Sequence, residues 1–304
     1  MADIALALGA IPFGSAVDDA GTAAILDRYV DAGGTRIDTA NNYPHWVEGA
    51  TGDESELAIG RWLATRDRDR VFLSTKCGGR PTGDDGTAEG LSAEAIRSAF
   101  EGSLRRLGTD HIDLYWAHVE DRDTPLEEQV QALGALVADG KVGALGASNH
   151  ATWRVERARQ LAVAARLTPY TSLQLRYTYL QPRPGVTLPE SGHTLVTPET
   201  LDYAATDGLT IWAYNTLMFG AYTRPERPLN EVYDHPGTAR RLAVLHQVAT
   251  ELGATANEVV LAWLVAGGII PIVGVSRTEQ LDEALRGVQL QLPPELLERL
   301  DAPA

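Results

Sequence analysis

The chain has 304 residues, of which 44% are hydrophobic and 22% charged, a composition typical of a globular protein. Its 26 Lys and Arg residues stand against 41 Asp and Glu residues, which gives a formal net charge of −15. This acidic balance argues against nonspecific nucleic-acid binding, which depends on clustered basic charge. A single cysteine, Cys77, excludes an intrachain disulfide and a multi-cysteine zinc site. No signal peptide or membrane span is legible, so we expect a soluble, cytoplasmic protein.

Apolar runs alternate with helical patterns along almost the whole chain. The pattern predicts strands at residues 5–11, 35–38, 71–76, 112–117, 142–147, 172–176, 209–214 and 269–273. It predicts helices near residues 21–32, 53–66, 92–107, 125–139, 151–166, 197–206, 238–266 (expected to be two helices), 278–287 and 293–301.

Strands joined by crossover helices pair in parallel, so the pattern predicts an α/β fold. Eight such units in about this length are typical of a single (β/α)8 TIM barrel, with residues 1–304 as one domain. The alternative is an open doubly wound sheet. It is disfavoured because no G-x-G-x-x-G follows the first strand.

Two proline-containing segments, residues 178–196 and 217–236, interrupt the alternation. Both follow predicted strand ends, so both should lie as long loops over the C-terminal face of the barrel. They would either shape a pocket there or be surface loops without such a role.

Four side chains suited to acid–base chemistry lie at or just after predicted strand ends. Asp38 and Tyr43 follow the second strand, Lys76 ends the third and His118 follows the fourth. In a (β/α)8 barrel these ends meet on one face, where active sites lie. A Lys76 ammonium held by Asp38 would lower the pKa of Tyr43 from about 10, and His118 would orient a carbonyl oxygen. Each residue alone has a structural explanation, but together they predict proton transfer to or from an oxygen.

The segments around these residues resemble the aldo-keto reductase family. The family's D-T-A-x-x-Y motif is present at residues 38–43, its S-T-K at residues 74–76 and its strand-end histidine as His118. The resemblance implies that the four side chains are a catalytic tetrad. It further implies an oxidoreductase that transfers a hydride from NADPH to an aldehyde or ketone, reversibly, with the tyrosine as proton donor.

The resemblance extends to a site for NADP(H) in the second half of the chain. The G-A-S-N segment at 146–149, the glutamine of S-L-Q-L-R-Y and the segment 270–280 are similar to the family's cofactor-binding motifs. The implied cofactor-binding residues are Ser148, Asn149, Gln174, Tyr214, Asn215, Thr216, Leu217, Gly274, Ser276, Arg277, Gln280 and Glu283.

A glycine-containing turn from the eighth strand into a helix offers backbone N–H groups to an anion. Ser276 and Arg277 in this turn could reach the phosphate on the adenosine ribose, which favours NADP(H) over NAD(H). The alternative for Arg277 is a simple surface cation. No metal is expected, because the phenol and imidazole supply the polarisation of the carbonyl.

Two departures from the family pattern concern the cofactor rather than the reaction. Residues 215–217 read Asn-Thr-Leu where the family usually has S-P-L, so the loop there would be shaped differently. Ala284 stands where an asparagine often follows the adenine-site glutamate, which would remove one hydrogen bond to adenine.

A second function stays open, that of an NADP(H)-binding regulatory or sensor subunit like the channel beta subunits that resemble the same family. The intact tetrad favours the enzyme. The expected partner is a small-molecule carbonyl or alcohol, with no nucleic acid and no membrane. The oligomeric state and the identity of the substrate are not specified by the sequence.

Overall fold

The computed structural model describes residues 4–83, 86–186, 188, 192–224 and 226–302. These residues form a closed barrel in which each strand pairs in parallel with the next and the last pairs with the first. The strands are β1 Ala7–Gly9, β2 Arg36–Asp38, β3 Phe72–Cys77, β4 Ile112–Ala117, β5 Val142–Ser148, β6 Tyr170–Arg176, β7 Thr210–Tyr214 and β8 Ile270–Gly274. The predicted (β/α)8 barrel is therefore confirmed.

Helices connect the strands and surround them. They are α1 Asp19–Asp31, α2 Glu54–Leu63, α3 Ala93–Leu107, α4 Leu126–Ala138, α5 Thr152–Ala164, α6 Pro198–Asp207, α7 Pro236–Leu252, α8 Ala256–Ala266, α9 Thr278–Gln289 and α10 Pro294–Asp301. The predicted break within 238–266 is confirmed. Gly253 ends α7 in the left-handed conformation with φ +61°, and Thr255 and Glu258 form a capping box that begins α8.

No single helix in the described ranges is long and apolar enough to cross a membrane. The pair α7 and α8 has the necessary length and composition together, but a bend of 98° separates the two helices.

The barrel interior is apolar below its polar C-terminal end. Ala7, Leu114, Trp116, Trp212 and Ile272 form a buried cluster inside the barrel. The position next to Trp116 on β5 is Gly146, where an added Cβ would lie only 2.2 Å from the indole ring. The packing of the barrel interior around Trp116 therefore requires a glycine at this position of the G-A-S-N segment.

The two long loops follow β6 and β7, as predicted, and their described parts are bonded to the barrel and to each other. Residues 192–196 return to β6, where Arg176 donates its backbone N–H to the Thr194 carbonyl over 2.9 Å. The later loop contains two short 3-10 helices, Met218–Gly220 and Glu231–Tyr233. The Arg183 N–H donates to the Val232 carbonyl over 2.8 Å and joins the two loops.

Candidate active site

The structure brings the four predicted catalytic side chains together at the C-terminal ends of β2, β3 and β4. Lys76 is fully buried, and its Nζ donates to Asp38 Oδ2 and to the Thr39 carbonyl, each over 2.6 Å. A buried ammonium is tolerated only where it is paired and hydrogen-bonded. Asp38, which is 3% exposed, provides the pairing charge.

Asp38 is itself held by two further donors on its other carboxylate oxygen. Ser74 Oγ donates to Oδ1 over 2.7 Å, and Gln174 Nε2 donates to the same atom over 3.1 Å. Gln174 was predicted to bind the cofactor, so a candidate cofactor residue is in direct contact with Asp38, a candidate catalytic residue.

Tyr43 lies beside this ion pair and is 8% exposed. The Lys76 Nζ is 4.9 Å from the centroid of the phenol ring. The His118 ring packs against the phenol at 5.6 Å between centroids and 76° between planes. The phenol, ammonium and imidazole thus share one small volume, as the sequence predicts.

Helix α2 fixes the position of Tyr43, a feature that sequence reasoning missed. Ser55 is fully buried in the first turn of α2, and its N–H donates to the Tyr43 carbonyl over 3.2 Å. Its hydroxyl donates to the Ala10 carbonyl over 2.7 Å and lies 2.7 Å from Thr39 Oγ1. Thr39 is the residue whose carbonyl accepts from Lys76. One serine therefore connects the ends of β1 and β2 with Tyr43.

A second buried carboxylate supports β3 from outside the barrel. Glu56, fully buried, accepts from Thr75 Oγ1 over 2.5 Å and from Arg106 Nε over 2.7 Å. Thr75 precedes Lys76 on the strand and points to the opposite face. The pair Glu56–Arg106 thereby joins α2 and α3 to the strand that carries the lysine.

The pKa of Tyr43 is raised well above its usual value, first by burial and then by the negative charge of Asp38. The expectation that the Tyr43 pKa is lowered is therefore wrong for this arrangement, because burial and Asp38 outweigh the charge of Lys76. Asp38 and the Thr39 carbonyl already bind the ammonium, so burial dominates the balance at the phenol. Burial also lowers the pKa of Lys76 itself, against the opposing effect of Asp38.

His118 is held as a neutral imidazole. Burial lowers its pKa well below the usual value, and the nearby Lys76, His193 and His45 lower it further. Its Nδ1 has no hydrogen-bond partner within the described part of the chain. A Cβ at Gly79 would lie 2.9 Å from that nitrogen, so the absence of a side chain at Gly79 makes room for the ring.

Asn149, one of the predicted cofactor residues, lies within a network of side-chain hydrogen bonds. Its Nδ2 donates to the His118 carbonyl over 3.2 Å and to Ser148 Oγ over 3.1 Å. Its Oδ1 accepts from Tyr214 Oη over 2.7 Å and from the Thr194 N–H over 3.2 Å. The structure thus joins Ser148, Asn149 and Tyr214 in one network, and ties the loop after β6 to them.

The segment after β7 is strained. Asn215, Met218 and Phe219 have φ values of +56°, +48° and +54°. In the described ranges they account for three of the five non-glycine residues with positive φ, and a fourth is Asn149. Backbone strain of this kind persists where surrounding structure enforces it, and it concentrates at functional sites.

Hydrogen bonds hold this strained segment against β6 and β8. With its side-chain oxygen turned toward Arg176, Asn215 accepts hydrogen bonds from Arg176 Nε and Nη2 over 3.2 and 2.9 Å. Thr216 Oγ1 donates to the Ile272 carbonyl over 3.4 Å, and the Thr216 carbonyl accepts from Thr178 Oγ1 over 2.7 Å. Leu217 packs, partly buried, against the core.

The turn after β8, where the sequence predicts an anion site, is exposed and leads directly into α9. Gly274, Ser276 and Arg277 are exposed, and α9 begins immediately afterwards. Gln280 Oε1 accepts from the Ser276 N–H over 2.8 Å and from its hydroxyl over 3.1 Å. Within the described residues no side chain caps the first N–H groups of α9. These groups and the Arg277 guanidinium are therefore available to a phosphate.

Glu283 lies further along α9 and faces the start of α8. It accepts from Thr255 Oγ1 over 2.7 Å, and Asn257 Nδ2 lies 3.3 Å from its Oε2. Ala284, the departure from the family pattern, is buried in the core. No side chain from that position reaches the surface that the turn presents.

Two further ionisable side chains on the strands, Asp113 and Cys77, have structural roles. Asp113 accepts from Arg68 Nη2 and from the Leu73 N–H, each over 2.7 Å, on the outer side of the barrel. Burial raises the pKa of the Cys77 thiol to about 12, which makes it unreactive. Across the described residues, no three His, Cys, Asp or Glu side chains are arranged to hold a metal ion.

Comparison with known proteins gives consistent results. A model of the aldo/keto reductase family matches residues 5–303. The uncharacterized oxidoreductase YrpG of Bacillus subtilis is 32% identical, over 97% of this chain and 90% of the relative. The norsolorinic acid reductase stcV of Emericella nidulans is 31% identical, over 90% and 69%.

Two further relatives extend the comparison. An aryl-alcohol dehydrogenase of Pestalotiopsis microspora is 28% identical, over 91% of this chain and 71% of the relative. The crystal structure of the thermostable aldo-keto reductase Tm1743 in complex with the inhibitor epalrestat superposes with a TM-score of 0.75 at 25% identity. The match covers 98% of this chain and 94% of that one.

Proposed function

This chain belongs to the aldo/keto reductase family, and we propose that it transfers a hydride from NADPH to the carbonyl carbon of an aldehyde or ketone, with Tyr43 as the proton donor. The observation that carries the proposal is the buried Lys76–Asp38 pair beside the Tyr43 ring. A buried charge pair next to a buried phenol at a barrel's C-terminal face is suited to acid–base catalysis.

The residues of β5 to β8 fit a dinucleotide cofactor. Ser148, Asn149 and Gln174 lie beside His118 and Asp38, and Arg277 with the uncapped start of α9 offers a phosphate site. A cationic side chain there supports NADP(H) over NAD(H), because the additional ribose phosphate needs a positive partner. When bound, NADPH would supply the hydride.

The catalytic side chains would manage the proton. Because its pKa is raised, Tyr43 keeps its proton at neutral pH and can donate it to the carbonyl oxygen as negative charge develops. The Lys76 ammonium beside the ring would stabilise the phenolate that remains, and Asp38 keeps that ammonium in place. The neutral His118 would orient the carbonyl oxygen through a hydrogen bond.

The same residues could oxidise an alcohol, and one relative is named as an aryl-alcohol dehydrogenase. In that direction Tyr43 must first lose its proton to act as the base. Its raised pKa opposes this loss near neutral pH, whereas the balance between the two directions is set by the concentrations of the reactants and by pH.

The test is the oxidation of NADPH, followed by absorbance, on addition of 4-nitrobenzaldehyde. Tyr43→Phe should lower the rate by about 10²–10⁴-fold, the usual range for loss of a general acid. Tyr203→Phe is the matched control, since Tyr203 lies on α6 and bonds Glu156 on the outside of the barrel. Binding of NADPH should be retained by both variants.

The alternative is an NADP(H)-binding regulatory subunit. Tight NADPH binding with no oxidation across a broad panel of aldehydes and ketones would favour this role and contradict the enzyme proposal. Failure to bind NADPH would contradict both.

A further inference from the structure

An exposed indole lies beside the proton donor. Trp46 is 56% exposed. Of the six tryptophans, only Trp153, at 58%, is similarly exposed in the part of the chain described. The Trp46 ring is 5.7 Å from the Tyr43 ring between centroids at 72°, and 5.0 Å from the His45 ring at 83°. The exposed apolar surface of the Trp46 indole is therefore next to Tyr43, the proposed proton donor.

The loop that carries Trp46 is structured. The His45 N–H donates to the Asn42 carbonyl over 2.8 Å, and the Val47 N–H donates to the Pro44 carbonyl over 3.0 Å. Both turns flank the indole and fix its backbone next to Tyr43. A positioned apolar ring is suited to contact a ligand without first being ordered.

The loops on opposite sides of the barrel mouth differ in polarity. The loops after β1 and β2 expose Ile11, which is 42% accessible, and Trp46. Across the barrel, the loops after β5 and β6 carry Asn149 and His193, which both contact the Tyr214 side chain. A compound whose carbonyl lies at Tyr43 would meet an indole on the first side and hydrogen-bonding groups on the second.

We propose that Trp46 is a specificity-determining residue whose indole contacts an aromatic ring bonded to the reacting carbonyl, so that aryl aldehydes and aryl ketones are the preferred substrate class. The proposal rests on the function proposed above. A flat ring attached to the carbonyl can pack on the indole in an offset or edge-on arrangement while its oxygen lies at Tyr43. A saturated ring of the same size lacks the π surface for that contact.

The experiment compares kcat/KM for benzaldehyde with that for cyclohexanecarbaldehyde, measured as alcohol formed with NADPH. The two aldehydes differ in intrinsic reactivity, but this difference cancels when the ratio of the two values is compared between variants. Trp46→Ala should lower the ratio about tenfold, which corresponds to about 1.4 kcal/mol. Trp46→Phe should keep most of the wild-type ratio. Trp153→Ala is the matched control, because it removes the other exposed indole, and should leave the ratio unchanged.

The contrary results are distinct. If Trp46→Ala leaves the ratio unchanged, or lowers both values equally, the indole does not select aromatic substrates and only this inference is overturned. If the unmodified protein binds NADPH and reduces other carbonyl compounds but neither of these aldehydes, the preference for aryl carbonyls is overturned and the proposed function stands. If it binds NADPH but oxidises none across the broad panel of aldehydes and ketones, the proposed function is contradicted and the role of Trp46 falls with it.

Discussion

The two halves of the barrel mouth are built differently. At the ends of β2 to β4, Lys76 and Asp38 are buried and hydrogen-bonded to their neighbours. At the ends of β7 and β8, the backbone of Asn215 to Phe219 is strained, and Arg277 is exposed beside an uncapped helix. The ion pair of the first half is fully hydrogen-bonded without a ligand, whereas the second half presents charge and N–H groups that a ligand can bind. Under the proposed function, the side chains for proton transfer are therefore preorganised, and the cofactor would complete the other half.

If the two halves act independently, the largest effect is expected on cofactor affinity, from a change in the half at β7 and β8. Arg277→Gln should raise the Kd for NADPH about tenfold to a hundredfold, the range for loss of a charge-assisted hydrogen bond of about 1.5–3 kcal/mol. The kcat at saturating NADPH should change little, because Arg277 lies away from the tetrad. Titration of NADPH and NADH against both proteins measures the effect, and the NADH affinity should be unchanged.

Arg97→Gln is the control for Arg277→Gln, since it removes one exposed cation from α3. A fall in kcat at saturating NADPH without weaker binding would contradict the separation of the two halves.

A smaller effect is expected from loosening the catalytic half. Ser55→Ala removes the hydroxyl that joins the Ala10 carbonyl and Thr39. Loss of these buried hydrogen bonds should lower the free energy of unfolding by about 1–3 kcal/mol. It should also reduce kcat about threefold to thirtyfold through misplacement of Tyr43. The Kd for NADPH should stay the same, and thermal unfolding together with steady-state kinetics tests all three.

Ser103→Ala is the matched control for Ser55→Ala. Ser103 is also fully buried, but its hydroxyl has no hydrogen-bond partner among the described residues. A kcat that falls equally in both variants would show a general loss of packing and no specific role for Ser55.

The smallest expected effect is that of pH on the rate of carbonyl reduction. Tyr43 must be protonated, and its raised pKa keeps it so beyond its ordinary value of about 10. His118 must stay neutral, and its lowered pKa keeps it so below its ordinary value of about 6.5. The kcat for reduction should therefore be flat between about pH 6.5 and 9. A steady fall above about pH 8 would instead indicate the lowered pKa of Tyr43 that the sequence suggested.

The barrel fold was predictable from local patterns, and so was the proximity of the four strand-end residues Asp38, Tyr43, Lys76 and His118. Strand ends and helix periods are read within short windows, and the barrel then brings the strand ends together. Strand β1 was predicted at 5–11 but spans Ala7–Gly9, because its partner β2 offers only three residues for pairing. Element ends depend on the neighbouring strand, which the local pattern does not contain.

The roles of Ser55, Gly79 and Thr194 were not predictable from the sequence. Each depends on a contact between segments that are distant along the chain: Ser55 with Ala10, Gly79 with His118, and Thr194 with Asn149. The direction of the pKa change at Tyr43 was missed for a related reason. It is set by burial and by which groups already bind Lys76, and neither is visible in residue spacing.

The buried pair of Lys76 and Asp38 has a consequence for the evolution of this barrel. Two matched apolar side chains in place of a buried ion pair usually leave a protein equally stable or more stable, whereas loss of one partner alone is strongly destabilising. A design procedure that optimised folding alone would therefore exchange both residues at once. Under the proposed function the pair serves the chemistry at Tyr43 and not the stability of the fold, so activity and stability would make different demands on these two positions.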